Sequence, residues 1–92
     1  MDNQKIIVTI SGSDKVGIVA KITATLADCR VNIEDIRQTI MQGHFVMIML
    51  CDISESKKSF KEIKSDITEA ANALGMSVLI QRKEIFDSMH SV

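Results

Sequence analysis

The stretch Ser11-Gly12-Ser13-Asp14-Lys15-Val16-Gly17-Ile18-Val19 decides how this chain folds. It follows the apolar, β-branched run 6–10 and opens a helically periodic segment, 19–29. The pattern predicts that a strand turns into a helix within about six residues. Glycine has no Cβ, so Gly12 and Gly17 allow a sharp turn and the close approach of another group.

The start of this predicted helix has two interpretations. Backbone N–H groups of a first helical turn lack intrahelical partners and carry partial positive charge, so the loop suits a small anionic group. Alternatively, Asp14 is the N-cap and accepts a hydrogen bond from the N–H of Val16 or Gly17. A free amino acid is compatible with both roles, because its ammonium can face Asp14 while its carboxylate takes the N–H groups.

The composition excludes several classes of protein. Ninety-two residues with 46% apolar and 25% charged side chains predict one soluble, globular domain. Eleven basic against twelve acidic residues, with no Trp or Tyr and three Phe, argue against a nucleic-acid-binding surface. The chain has no apolar run of about 18 residues and no secretory signal at its polar start, so we expect neither a membrane span nor secretion.

The residues that could carry chemistry are few. Cys29 and Cys51 lie 22 residues apart with no C-x-x-C, which predicts two reduced, buried or half-buried thiols in the cytoplasm. His44 and His90 match no metal-ligand spacing with them. No histidine is placed by sequence to activate a serine of the loop. We therefore expect no enzyme activity, no metal and no cofactor.

The middle of the chain predicts a β-hairpin. Segments 31–42 and 44–53 read as two strands joined at Gln42-Gly43. A bulge near Glu34 or Asp35 would place four apolar residues on one side: Val31, Ile33, Ile36 and Ile40. The second strand is apolar on both faces, which predicts that a partner subunit or the chain's own tail covers the outer face of the sheet.

A second helix follows the hairpin. Apolar residues recur at helical spacing from Phe60 to Leu74, and Gly75 stands at the position that ends such a helix. The preceding polar connector offers Ser54 or Ser56 as the N-cap.

The last strand, 76–83, completes the order strand, helix, strand, strand, helix, strand. A short amphipathic helix, 85–92, either docks on the domain or helps to cover the sheet or a dimer seam. The order predicts an α+β, ferredoxin-like βαββαβ sandwich, with a four-stranded antiparallel sheet and two helices on one face. Right-handed crossovers place the first and third strands in the middle. We expect one domain over 1–92, with its core in 5–83.

Two motifs resemble the ACT domain family of small amino-acid-sensing modules. They are Gly12-x-Asp14-x-x-Gly17-Ile18-Val19 and, about fifteen residues further on, Val31-Asn32-Ile33-Glu34-Asp35-Ile36. The resemblance covers residues 5–83. The ending 85–90 further resembles small stand-alone bacterial ACT proteins of unassigned role. It also resembles, more distantly, the regulatory protein that represses the glycine cleavage system.

The resemblance implies a non-enzymatic regulatory protein that binds a small ligand, commonly an amino acid, at the seam of a homodimer. Such dimers often form edge to edge through the sheet. Carried over residue by residue, the loop contacts in one copy would be Gly12, Ser13, Asp14, Lys15, Val16 and Gly17. The neighbouring copy would contribute Asn32 from the start of its second strand.

Most ACT domains regulate a catalytic or DNA-binding domain on the same chain, and this sequence contains none. An alternative function is therefore a ligand-free subunit that docks on another protein. The strand 44–53, apolar on both faces, and the apolar tail 85–89 are the surfaces that would serve this partner.

Overall fold

The computed structural model describes residues 4–89 of the chain. These residues form four strands and three helices in the predicted order, which confirms the ferredoxin-like fold. In chain order the elements are β1 (Lys5–Ser13), α1 (Ile18–Asp28), β2 (Asn32–Met41), β3 (His44–Asp52), α2 (Phe60–Ala73), β4 (Ser77–Arg82) and α3 (Lys83–Met89).

The sheet has the order β2-β3-β1-β4, and every neighbouring pair is antiparallel. The first and third strands are central, as predicted from right-handed crossovers. Ile6, Val8 and Ile10 of β1 are fully buried on the side that faces α1 and α2.

The core lies between this side of the sheet and the two long helices. Burying an Ile or Leu side chain stabilises a fold by about 1.5–3 kcal/mol. The buried apolar side chains of this core therefore supply most of the free energy that favours folding. The fully buried members from the helices and from β3 are Ile18, Ile22, Leu26, Ile63, Ile67, Ala71, Met47, Met49 and Cys51.

The predicted bulge in β2 is confirmed. The register of β2 on β3 shifts between Ile33 and Asp35, so Glu34 is the extra residue. Directly opposed residues of an antiparallel pair share a face. Ile36 and Ile40 therefore lie on the helix side, opposite buried residues of β3.

The short helix α3 packs against the outer face of β1 and β4. Ile7 points to this outer face and is only 6% exposed. Gln81 Nε2 donates a hydrogen bond to Met89 Sδ at 3.2 Å. The tail thus covers part of the sheet, which was one of the alternatives predicted for it. The helix spans Lys83–Met89 and so begins two residues earlier than predicted. The predicted continuation through 90–92 lies outside the described residues.

A capping box starts α2. Ser59 Oγ accepts a hydrogen bond from the Glu62 N–H at 3.1 Å, and the Glu62 carboxylate accepts one from the Ser59 N–H at 2.9 Å. The second bond lowers the pKa of Glu62. The predicted caps Ser54 and Ser56 are wrong, because only Ser59 directly precedes the first helical residue. Gly75, at φ +70°, follows the last turn as predicted.

We expect Ser59→Ala to lower the free energy of unfolding by about 1 kcal/mol, since the first turn of α2 loses its cap. Urea titration followed by circular dichroism measures the change. Ser54→Ala is the matched control and should leave the midpoint unchanged. Equal losses in the two variants would show that the capping box does not stabilise α2.

Candidate functional site

Gly12 lies at the end of β1, opposite Phe45. Its φ of +155° strains any residue other than glycine, and an added Cβ would lie 2.9 Å from Met76 Sδ and 3.5 Å from Met76 Cα. The close approach predicted for this loop is therefore made by the chain itself, at the residue before β4.

Gly17 has a different role. It is the N-cap residue of α1 with a left-handed φ of +91°, and no described atom lies within 4 Å of a Cβ built there. Its backbone conformation, and not a close neighbour, is the reason that glycine suits this position.

Asp14 does not cap the helix. Its backbone N–H donates to Gly43 O at 2.9 Å, which ties the loop to the turn between β2 and β3. Among residues 4–89, no side chain caps α1, and the Asp14 side chain is exposed. The predicted cap is wrong because the left-handed Gly17 starts the helix at Ile18, so Asp14 lies three residues before the cap.

The start of α1 remains open to an anionic group. Its first turn has no acidic residue and no capping side chain in the described part of the chain. Val16, next to it, is 99% exposed. The Lys15 ammonium lies close to the turn at Gly75, 3.4 Å from the position of a Cβ there. Backbone donors and the helix dipole therefore lie together at the start of α1, and Lys15 of the same loop extends its ammonium towards Gly75.

Asn32 lies at the opposite end of the sheet from the loop. It pairs with Asp52, which also pairs with Lys5, whereas Ser13 pairs with His44. Eight residue steps along β1 separate the two ends, which corresponds to about 26 Å. The structure thus brings residues 12–17 together and keeps Asn32 apart from them within one chain.

Asn32 lines a shallow groove of its own, together with Arg30, Asp52, Ser54 and Glu55. Asp52 accepts a hydrogen bond from the Ser54 N–H at 2.8 Å, and this bond lowers the pKa of its carboxyl. The groove therefore offers an amide beside a carboxylate, a combination that suits an ammonium or amide group.

The edge strand β2 carries apolar residues that sequence analysis did not assign to the site. Ile36 and Ile40 lie on the helix side of the sheet, yet they are exposed, Ile40 to 58%. Met41 at the end of the strand is 69% exposed. From the sequence, this exposure could have been inferred only from the strand order, which places β2 at the edge of the sheet.

The two thiols are free and buried, as predicted. Burial raises the pKa of Cys51 to about 12. Burial and a hydrogen bond to Asp66 Oδ2, 3.4 Å away, raise the pKa of Cys29. Lys58 Nζ also donates to this carboxylate, at 2.5 Å, and lowers the pKa of Asp66. Both cysteines are therefore protonated at neutral pH, which makes them poor nucleophiles.

Residues 4–89 contain no group of three or more side chains suited to hold a metal ion. His44 is exposed at the hairpin, and His90 lies outside the described residues. No helix within the same range is long and apolar enough to span a membrane.

Comparison with known proteins agrees with the fold. The ACT domain model matches residues 4–81. This chain belongs to the ACT domain family. A UPF0237 protein of Clostridium acetobutylicum is 49% identical over 88 residues, 96% of this chain and 99% of that protein. A UPF0237 protein of Methanocaldococcus jannaschii is 43% identical over 88 residues, 96% and 98% of the two chains. Relatives of this chain therefore occur in both bacteria and archaea.

Solved structures show the same architecture. An ACT domain protein from Streptococcus pneumoniae superimposes with a TM-score of 0.78 at 32% identity, over 90% of this ACT domain and 93% of that chain. A protein described as a glycine cleavage system transcriptional repressor gives a TM-score of 0.77 at 20% identity, over 86% and 45% of the two chains. At that identity the second likeness concerns the fold alone.

We expect Gly12→Ala to destabilise this ACT domain by about 1–3 kcal/mol, because the new Cβ meets Met76 and the backbone is strained. Thermal and urea unfolding measure the loss. Gly17→Ala is the control with a strained backbone but open space, and it should cost less. If the two variants lose the same stability, contact with Met76 is not what requires glycine at position 12.

Proposed function

We propose that this ACT domain is a non-enzymatic regulatory protein whose homodimer binds an amino acid between the loop 12–17 of one copy and Asn32 of the other. The observation that carries the proposal is the separation of these two groups to opposite ends of one sheet, next to an edge strand with exposed apolar residues. The proposal treats residues 1–92 as one domain, and the buried free thiols suit a reducing cytoplasm.

The edge of β2 is the surface through which two copies would pair. In residues 4–89 no strand covers its outer edge, so a row of backbone N–H and C=O groups is available to another strand. Antiparallel pairing about a two-fold axis reverses the second strand. The partner's Asn32 then lies at the Met41 end of the first copy, which is the end of the loop.

Apolar burial would stabilise this seam. Ile36 and Ile40 project from the helix side of β2 beyond the cover of α1 and α2. With the partner's Asn32 opposite Met41, Ile36 would lie next to the two-fold axis, and Ile40 would pack near the start of the partner's β2. Complete burial of an Ile side chain is worth about 1.5–3 kcal/mol, and the exposed part of each side chain would supply a share of that.

The two ends of the site match the two charges of an amino acid. A carboxylate would accept hydrogen bonds from the open N–H groups of α1, close to Lys15. An ammonium would face Asp14, whose side chain is exposed and does not cap the helix. The partner's Asn32 would hold the remaining polar group, and Val16 offers an exposed apolar contact.

We expect one or a few of the twenty amino acids, at millimolar concentration, to raise the melting temperature, because a ligand that binds the native state stabilises it by mass action. Asp14→Ala should abolish the rise and change the stability of the unliganded protein by less than about 0.5 kcal/mol, since no cap is lost. Asp28→Asn, at the other end of α1, is the control. A melting temperature that no amino acid changes would contradict the proposal.

We expect Ile40→Glu to break the β2 seam, because each copy would then bury a carboxylate with no opposite charge in the apolar contact. Light scattering after size exclusion should show a smaller assembly, and the response to amino acids should disappear with it. Ala24→Glu, on the exposed surface of α1, is the control and should retain both properties. A dissociated variant that still responds to the ligand would show that Asn32 of a partner is not needed.

A further inference from the structure

Arg30 has a backbone conformation that suits glycine better than arginine. It follows Cys29, the C-cap residue of α1, and its φ is +58°, in the left-handed region. Its N–H donates to Ala27 O at 3.0 Å, and the Val31 N–H donates to Leu26 O at 2.9 Å. This pair of bonds commonly ends a helix, and glycine is the usual residue at its left-handed position. Arginine at position 30 therefore strains the backbone.

The Arg30 side chain has no partner within the described part of the chain that offsets this strain. It is exposed, and its guanidinium takes part in none of the ion pairs or side-chain hydrogen bonds of residues 4–89. The turn itself uses only backbone atoms, so the fold does not require arginine here. Residues that strain the backbone in this way cluster at binding sites. This makes Arg30 a candidate binding residue.

Arg30 lines the shallow groove at the start of β2 that also contains Asn32. The guanidinium and the Asn32 amide donate hydrogen bonds, whereas the carboxylates of Asp52 and Glu55 in the same groove accept them. The Ser54 N–H donates to Oδ1 of Asp52 at 2.8 Å, and Oδ2 accepts no hydrogen bond from residues 4–89. The groove thus presents strong donors and strong acceptors together.

The charges of the groove limit what it can bind. One guanidinium, Arg30, stands against two carboxylates, Asp52 and Glu55, and none of the three belongs to an ion pair within residues 4–89. The charge of Lys5 also acts on Asp52, although its ammonium pairs with Glu34 at 2.5 Å. A ligand carboxylate meets two acids in this groove, and a ligand ammonium meets Arg30. A neutral group that both donates and accepts hydrogen bonds avoids both repulsions.

We propose that the amino acid bound by this ACT domain has a side-chain carboxamide, and that Arg30 and Asp52 of the partner copy select it. The inference rests on the proposed function, in which the partner's Asn32 closes the ligand site. The carboxamide oxygen accepts a hydrogen bond from the Arg30 guanidinium, and the carboxamide NH2 donates one to Asp52 Oδ2. Both bonds involve a charged protein group, so they are stronger than bonds between neutral groups. Among the twenty amino acids, glutamine and asparagine carry this group.

The position of the groove in the proposed dimer agrees with this selection. The Asp14 N–H bonds to Gly43 O at 2.9 Å, so the loop 12–17 lies next to the end of β2. The partner's Asn32 lies one inter-strand spacing from Met41, which is about 5 Å. The partner's Arg30 lies two residues further on, at most about 7 Å away along the chain. An amino acid whose main chain is held at the start of α1 thus extends its side chain towards the partner's groove.

Isothermal titration calorimetry of the full chain measures the preference, with glutamine, asparagine, glutamate, aspartate, lysine and any other amino acid that raises the melting temperature. We expect the better carboxamide to bind about tenfold more tightly than glutamate, aspartate or lysine, since a carboxylate cannot donate to Asp52 and an ammonium cannot accept from Arg30. Comparing glutamine with asparagine gives the length of side chain that reaches the groove. Tighter binding of an amino acid without a carboxamide overturns the inference and leaves the proposed function standing, whereas no binding of any amino acid contradicts both.

Arg30→Gly tests the strained residue directly. We expect the unliganded variant to melt at a higher temperature, because glycine readily adopts a φ of +58°. It should bind the preferred carboxamide about tenfold more weakly than the wild type, since a charged hydrogen bond is lost. Lys61→Gln, which removes an exposed cation from α2, is the control and should change neither property. A variant at position 30 that binds the carboxamide as tightly as the wild type overturns the inference.

Asp52→Asn tests the acceptor of the groove. The amide oxygen of the new side chain can still accept the hydrogen bond from the Ser54 N–H, so the turn is kept. Because the charge that repels a ligand carboxylate is lost, the advantage of the carboxamides over glutamate and aspartate should fall. This ratio compares two ligands on one protein, so a general loss of stability does not change it. An advantage equal to that of the wild type contradicts the selection by Asp52.

Discussion

Strand β1 is hydrogen-bonded along both of its edges, and this pairing sets the positions of the other strands and of the loop that follows it. Its neighbours are β3 and β4, and Ile6, Val8 and Ile10 are buried under the helices while Ile7 is buried under α3. Because β1 is paired on both edges and packed on both faces, it cannot shift without breaking these contacts. The loop that leaves it is therefore fixed relative to the whole sheet.

The position of this loop follows from two contacts. Because Gly12 has no side chain, Met76 can lie directly against its backbone, and β1 approaches the start of β4 closely at this point. The Asp14 N–H bonds to Gly43 O, so the loop also follows the hairpin turn. Because both ties use the backbone or the absence of a side chain, the side chains of Asp14, Lys15 and Val16 are left for other contacts.

The intramolecular packing leaves two apolar surfaces unfinished. A chain of this size buries only about 60–65% of its unfolded surface, so association is a physical way to bury more. The helices leave Ile36 and Ile40 exposed at the β2 edge, and α3 leaves Ile48 and Leu79 exposed on the outer face. In the proposed homodimer, the first surface would complete a ligand site across two chains.

The order of the elements, the bulge near Glu34 and the central place of β1 and β3 could be predicted from the sequence, because apolar periodicity and β-branching are local properties. The motifs around Gly12 and Asn32 indicated the family, because a motif can also be recognised in a short stretch of sequence. The N-caps could not be predicted, since the backbone at Gly17 and the reach of Ser59 decide where each helix begins. Only the tertiary structure separated Asn32 from the loop and left Ile40 uncovered, because both outcomes depend on how distant strands and helices are placed in space.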